Sequence, residues 1–130
     1  MKILGIDYGR AKVGLALADD NFKLAYPLSV LRFKEISDLE EKIKAVVEKE
    51  EIEKVVIGLP EGVFRREIED FGASLKRKLN IPVVFWDETL TTKEAQALSI
   101  EAGIKRKKRK ALEDAYAASI ILESYLESKG

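Results

Sequence analysis

A chain of 130 residues with neither cysteine nor histidine can bury a core without disulfides or a structural metal. It cannot use a thiolate nucleophile, a Ser-His-Asp triad or a zinc site of thiolate or imidazole ligands, so its chemistry rests on carboxylates, lysines, hydroxyls or a hard cation held by oxygen. Lys plus Arg equals Asp plus Glu at 23 each, and any affinity for a polyanion has to come from a local patch.

Ile3 to Ile6 is an apolar run too short to span a membrane and reads as a buried strand ending at Asp7. Tyr8-Gly9-Arg10-Ala11-Lys12 is a hairpin turn, with Gly9 expected at positive φ, and Val13 to Ala18 returns as the second strand. Leu24 to Phe33 is a third strand, which Pro27 assigns to a sheet edge. Ser37 followed by Glu40 has the form of a capping box. The helix it opens carries Leu39, Ile43, Val46 and Val47 on one face and Glu40, Glu41, Lys44 and Glu48 on a solvated one. Val55 to Leu59 is apolar throughout, as in a strand buried on both faces of a parallel sheet, and Pro60 stops it. A loop with Arg65 and Arg66 leads to a helix with Ile68, Phe71, Leu75 and Leu79 inward. Val83 to Trp86 is another buried strand running into Asp87-Glu88. Thr91 to Glu94 again has capping-box form and opens a helix that Gly103 ends. A last helix, from about Leu112, sets Ala115, Ala118, Ser119, Leu122 and Leu126 on one face. Three meandering strands followed by crossovers imply an α/β fold with a five-stranded mixed sheet covered by helices. No internal repeat, linker, targeting segment or membrane span is evident, so the expectation is one cytoplasmic domain over residues 1–130.

Ligands gather beyond the carboxyl ends of parallel strands, and three acids are placed to meet there. They are Asp7 ending the first strand, Glu88 just past the last strand, and Asp114 in the first turn of the final helix. Grouped carboxylates repel unless a cation joins them; Mg²⁺ or Mn²⁺ suits oxygen ligands, and two such ions serve phosphodiester cleavage. Each acid has a plainer use: Asp7 can open a turn, Asp87 can take the role of Glu88, and Asp114 suits the positive end of a helix dipole. Lys105, Arg106, Lys107, Lys108, Arg109 and Lys110 form an unbroken basic run. It can be a solvated loop, or it can hold a phosphate backbone against the acids, with Arg10, Lys12, Arg65 and Arg66 extending the patch. Aromatic residues show no regular spacing, so nothing in the sequence points to base stacking.

Four blocks resemble the YqgF/RuvX family of Holliday-junction-resolvase-like nucleases, whose fold is ribonuclease-H-like. They are Leu4-Gly5-Ile6-Asp7-Tyr8-Gly9 through Val13-Gly14-Leu15-Ala16; Val56-Ile57-Gly58-Leu59-Pro60; Asp87-Glu88-Thr89-Leu90-Thr91-Thr92 with Ala95; and Asp114-Ala115-Tyr116-Ala117-Ala118 through Leu122 and Tyr125-Leu126. The resemblance implies that Asp7, Glu88 and Asp114 bind divalent metal for phosphodiester hydrolysis on structured RNA or branched DNA. It implies two roles, maturation of the small-subunit ribosomal RNA precursor or cleavage of recombination intermediates. Two departures touch substrate contacts: Thr89 stands where the family usually has arginine, and Glu61-Gly62-Val63-Phe64-Arg65-Arg66 is a shorter loop than usual. Arg65 or Arg66 is a candidate to replace the missing cation. Two other classes compete. Asp-Tyr-Gly before a second strand also resembles the phosphate loop of the actin and sugar-kinase superfamily, but the chain is too short for two lobes. A noncatalytic RNA-binding assembly factor would use the basic run alone. A junction resolvase needs a dimer; no strongly apolar helix face marks one, so the expectation is a monomer or weak homodimer.

Overall fold

The computed structural model describes residues 1–22, 24–87 and 112–129. In chain order these residues form β1 (Lys2–Asp7), β2 (Lys12–Asp19), β3 (Leu24–Arg32), α1 (Ile36–Glu50), β4 (Lys54–Leu59), α2 (Arg65–Leu79), β5 (Val83–Asp87) and α3 (Glu113–Lys129). The strands make one sheet in the order β3-β2-β1-β4-β5. The meander β1-β2-β3 is antiparallel, and β4 and β5 add in parallel beyond β1. This is the mixed sheet expected from the sequence. The helix expected between Thr91 and Gly103 lies outside the described residues.

Two cores sandwich the sheet. On one face Leu4, Ile6, Val13, Leu15, Val55 and Ile57 pack under α1 and α2 through Leu39, Ile43, Phe71 and Leu75. On the other, Ile3, Ala16, Ala18 and Val56 pack under α3 through Ala118, Ile121, Leu122 and Tyr125. Alternation along β1 and β2 produces this division, because successive side chains point to opposite faces. The α3 face is built from small residues on both partners. A Cβ at Gly5 would meet the Ala118 carbonyl oxygen at 3.0 Å and Leu122 Cβ at 3.1 Å, so the helix backbone lies almost on the sheet. Both edges of the sheet hold α3 in place. Trp86 Nε1 donates to Ser124 Oγ at 3.0 Å, and the Ala25 amide donates to Glu123 Oε1 at 3.2 Å.

Several expectations are corrected. Ser37 does not cap α1: the N-cap position is Glu35, with no side-chain cap hydrogen bond. Glu40 leaves the solvated face and is buried, accepting a hydrogen bond from Ser74 Oγ of α2. Where two helices pack, a carboxylate can turn inward if a hydroxyl meets it. Gly9 is not at positive φ. Its lack of a side chain matters because a Cβ would sit 2.6 Å from the Lys12 carbonyl oxygen. β5 is only half-buried and ends exposed, since it is an outer strand with β4 on one side. Pro27 does lie on the edge strand β3, where it removes one donor from the free edge. Among the described residues, no helix is long and apolar enough to cross a membrane.

Candidate active site

Asp7 and Asp114 meet because of Gly14. Asp7 ends β1 and lies directly opposite Gly14 of β2, and residues opposed across a ladder point to the same side. That side is the α3 face, set two residues earlier by Gly5 against Ala118. A Cβ at Gly14 would fall 2.0 Å from the Asp114 carbonyl oxygen and 2.7 Å from the Ala115 amide nitrogen. Glycine is therefore required here: it lets the first turn of α3 rest on the strand beside Asp7. Acids separated by most of the chain are brought to one place by an absent side chain.

Lys12, which begins β2, reaches the same place. Its Nζ lies 3.1 Å from Asp114 Oδ2, with both side chains partly exposed. Asp114 also stands in the first turn of its helix, where the dipole favours a negative charge. Asp87 does not belong to this group. It pairs with Leu59, whose side chain enters the α1–α2 core, so Asp87 lies on the opposite face of the sheet. Among the described residues no three acids are grouped to hold a metal. Glu88 and the basic run Lys105–Lys110 lie outside them.

A second set of contacts occupies the α2 side of the same strand ends. Tyr8, next after Asp7, turns into the α1–α2 core, with its ring 4.8 Å from that of Phe71. Its hydroxyl donates to Glu67 Oε2 at 3.0 Å. Arg10 donates to Glu67 Oε1 from Nε at 3.2 Å and from Nη2 at 2.9 Å. Burial, and then the adjacent Glu67 carboxylate, push the Tyr8 phenol up to about 12. The Arg10 guanidinium and the Tyr8 hydroxyl hold Glu67 below the usual carboxylate range. The guanidinium also lies 4.4 Å from the centre of the Phe64 ring. Arg65 and Arg66 pair within α2 with Glu69 at 3.9 Å and Asp70 at 3.2 Å. All four described cations of the expected patch thus have acidic neighbours. Sequence reasoning passed over Tyr8, Phe64 and Glu67; the one available signal was an aromatic residue set directly before two arginines. At the ends of β4 and β5, a cleft of about 450 Å³ is lined by Leu59, Glu61, Arg65, Phe85, Trp86 and Asp87.

Comparison with known proteins agrees with this architecture. Residues 1–128 match the family described as RuvX, Holliday junction resolvase. The chain belongs to the RuvX family. A relative from Caldanaerobacter subterraneus subsp. tengcongensis, carrying the name "Putative pre-16S rRNA nuclease", is 40% identical over 136 residues, covering 99% of this chain and 98% of its own length. Among solved structures, RuvC of T. thermophilus in complex with a Holliday junction substrate is similar, with a TM-score of 0.61 at 20% identity, covering 99% of this chain and 95% of that one. The fowlpox virus resolvase in complex with Holliday junction DNA is also similar, with a TM-score of 0.67 at 15% identity and 99% of each chain covered. At those identities the likeness establishes the ribonuclease-H-like fold of this RuvX member.

Proposed function

We propose that this RuvX chain is a metal-dependent hydrolase of phosphodiester bonds that matures the 5′ end of the pre-16S ribosomal RNA. The observation that carries the reading is the convergence of Asp7 and Asp114 on the α3 face at Gly14. The relatives named for pre-16S rRNA support the choice of substrate.

The donor set fits a hard divalent ion. Asp7 and Asp114 offer oxygen ligands on one face, Glu88 is the third acid expected from the sequence, and the chain has no histidine or cysteine to favour a softer metal. Bound there, Mg²⁺ or Mn²⁺ would supply an activated water and stabilise the leaving oxygen. The chain's own residues prepare that place. β1, paired on both sides through Ile6, sets its last residue Asp7 opposite Gly14 of β2. Asp114 sits in the first turn of α3, where its carboxylate is paired with the Lys12 ammonium until a metal takes that place. The basic run from Lys105 to Lys110 is the expected clamp for the phosphate backbone. In this reading residues 1–130 act as one domain, a monomer or weak homodimer in the cytoplasm.

The test sets labelled pre-16S rRNA beside a four-way DNA junction, with Mg²⁺ or Mn²⁺, for wild type and for Asp7→Asn, Glu88→Gln and Asp114→Asn. Metal-dependent cutting of the RNA, lost in all three variants, is the expected result. Cutting of the junction alone transfers the reading to a resolvase, which the family description and the fold favour. RNA binding without any cutting makes the chain an assembly factor.

A further inference from the structure

The helix α2 starts in an unusual way. Its N-cap position is Phe64, with no side-chain hydrogen bond to the first turn, although Ser, Thr, Asp or Asn there would satisfy an orphan amide. Phe64 remains 45% exposed and Val63 before it 88% exposed, so neither serves the core. The arginine set against Phe64 is fixed on its other side by two hydrogen bonds to Glu67. Glu67 in turn holds Tyr8, the residue after Asp7. An exposed aromatic ring is thus tied through three side chains to the strand that carries a candidate catalytic acid. The ring stands at the strand ends next to Arg65, which lines the adjoining cleft.

From this arrangement we infer that Phe64, backed by Arg10, is a stacking platform for one unpaired base of the nucleic-acid strand that reaches the Asp7–Asp114 site. An aromatic ring beside a guanidinium is the pairing that single-stranded nucleic acid uses, with the ring meeting the base face and the cation reinforcing the stack. A base inside a duplex presents no free face, so the platform selects a single-stranded or frayed segment. Arg10 pairs with Glu67 and so adds little net charge; the platform contributes contact area and leaves charge attraction to other cations. The inference rests on the nucleic-acid reading given above and deepens it by naming the strand state.

The test is binding without cleavage. The full chain carrying Asp7→Asn would be titrated against a 12-nucleotide oligoadenylate containing 2-aminopurine and against a 12-base-pair RNA duplex. Further titrations would add Phe64→Ala or Phe64→Trp to that background. Phe64→Ala should weaken single-strand binding about 5- to 160-fold, the range of one base–aromatic stack, and abolish quenching of 2-aminopurine. Duplex affinity and the salt slope should stay unchanged, because no phosphate contact is removed. Phe64→Trp should retain both affinity and quenching. Circular dichroism of each variant separates loss of the ring from loss of the fold. Equal weakening on both probes, or none on the single strand, overturns the platform. So does Phe64→Ala abolishing self-association in sedimentation while leaving RNA binding intact, since the ring would then be a contact between copies. Failure of the cleavage test, with quenching still dependent on Phe64, would remove the nuclease reading and leave the platform standing.

Discussion

Replacing Gly14 with alanine tests whether α3 must touch β2 for the site to exist. The new Cβ would lie 2.0 Å from the Asp114 carbonyl oxygen and 2.2 Å from its carbon. Both are backbone atoms, so no side chain can swing aside. Restoring an ordinary contact of 3.4 Å requires the first turn of α3 to retreat by about 1.4 Å. Overpacking of this kind costs about 1–3 kcal/mol, which at this chain length lowers the melting temperature by about 3–15 °C. Catalysis should suffer more than stability, because a misplacement of about 1 Å can cost a hundredfold in rate. Gly5→Ala is the internal control. It meets the same helix at 3.0 Å, further along and away from Asp114, and should lower the melting temperature without a comparable fall in rate. Thermal unfolding followed by circular dichroism, with initial rates on labelled RNA well below the melting range, measures both. Wild-type cleavage by a folded Gly14→Ala protein would refute the argument.

Four further outcomes are expected. Lys12→Met removes the cation that competes for Asp114, so the half-saturating Mg²⁺ concentration should fall up to about fivefold, given at most roughly 1 kcal/mol for a partly exposed pair; an unchanged requirement in a metal titration contradicts this. Tyr8 ionises only near 12. Because its folded value lies above the unfolded one near 10, its contribution to stability is complete below pH 10 and is lost as pH rises toward 12. Absorbance titration at 295 nm should reveal this late step, and Tyr8→Phe should remove it while Glu67→Gln brings it lower. Glu67, held below its usual range, contributes above its unfolded value and loses that contribution as pH falls through the folded one. Finally, Ser74→Ala leaves the buried Glu40 carboxylate without its hydroxyl donor and should cost about 1–3 kcal/mol in urea unfolding, whereas an exposed serine would cost almost nothing.

The positions of the acids were legible because strand and helix boundaries are written locally. Asp7 follows an apolar run, and Asp114 opens a helix whose inward face is marked by Ala115, Ala118 and Leu122. That they should gather beyond the strand ends was an expectation from the element order; the contact that seats α3 beside Asp7 was not legible, since Gly14 looks like any strand glycine until α3 is laid on it. Glu40 was misread because helical periodicity identifies a charged face but cannot see a hydroxyl arriving from a second helix. The choice between Asp87 and Glu88 was open in the sequence. The pairing of Asp87 with Leu59 removes Asp87 from the Asp7 face by the alternation of the strand. Charge partners were the least readable. Arg10 and Glu67 are 57 positions apart, and nothing near either residue announces the other.

The contact between Gly14 and α3 also bears on when this chain becomes able to act. β1 and β2 come long before α3 in the order of the described elements, so the Asp7–Asp114 pair depends on a contact of very long sequence separation. Such contacts close late, because the whole intervening loop must be ordered before they form. Until α3 has been synthesised and has docked, Ile3, Ala16 and Ala18 lack their cover, and Asp114 is nowhere near β1. A chain without α3 is therefore unable to assemble its acids, and any fragment ending before residue 113 should be inert toward nucleic acid at this site.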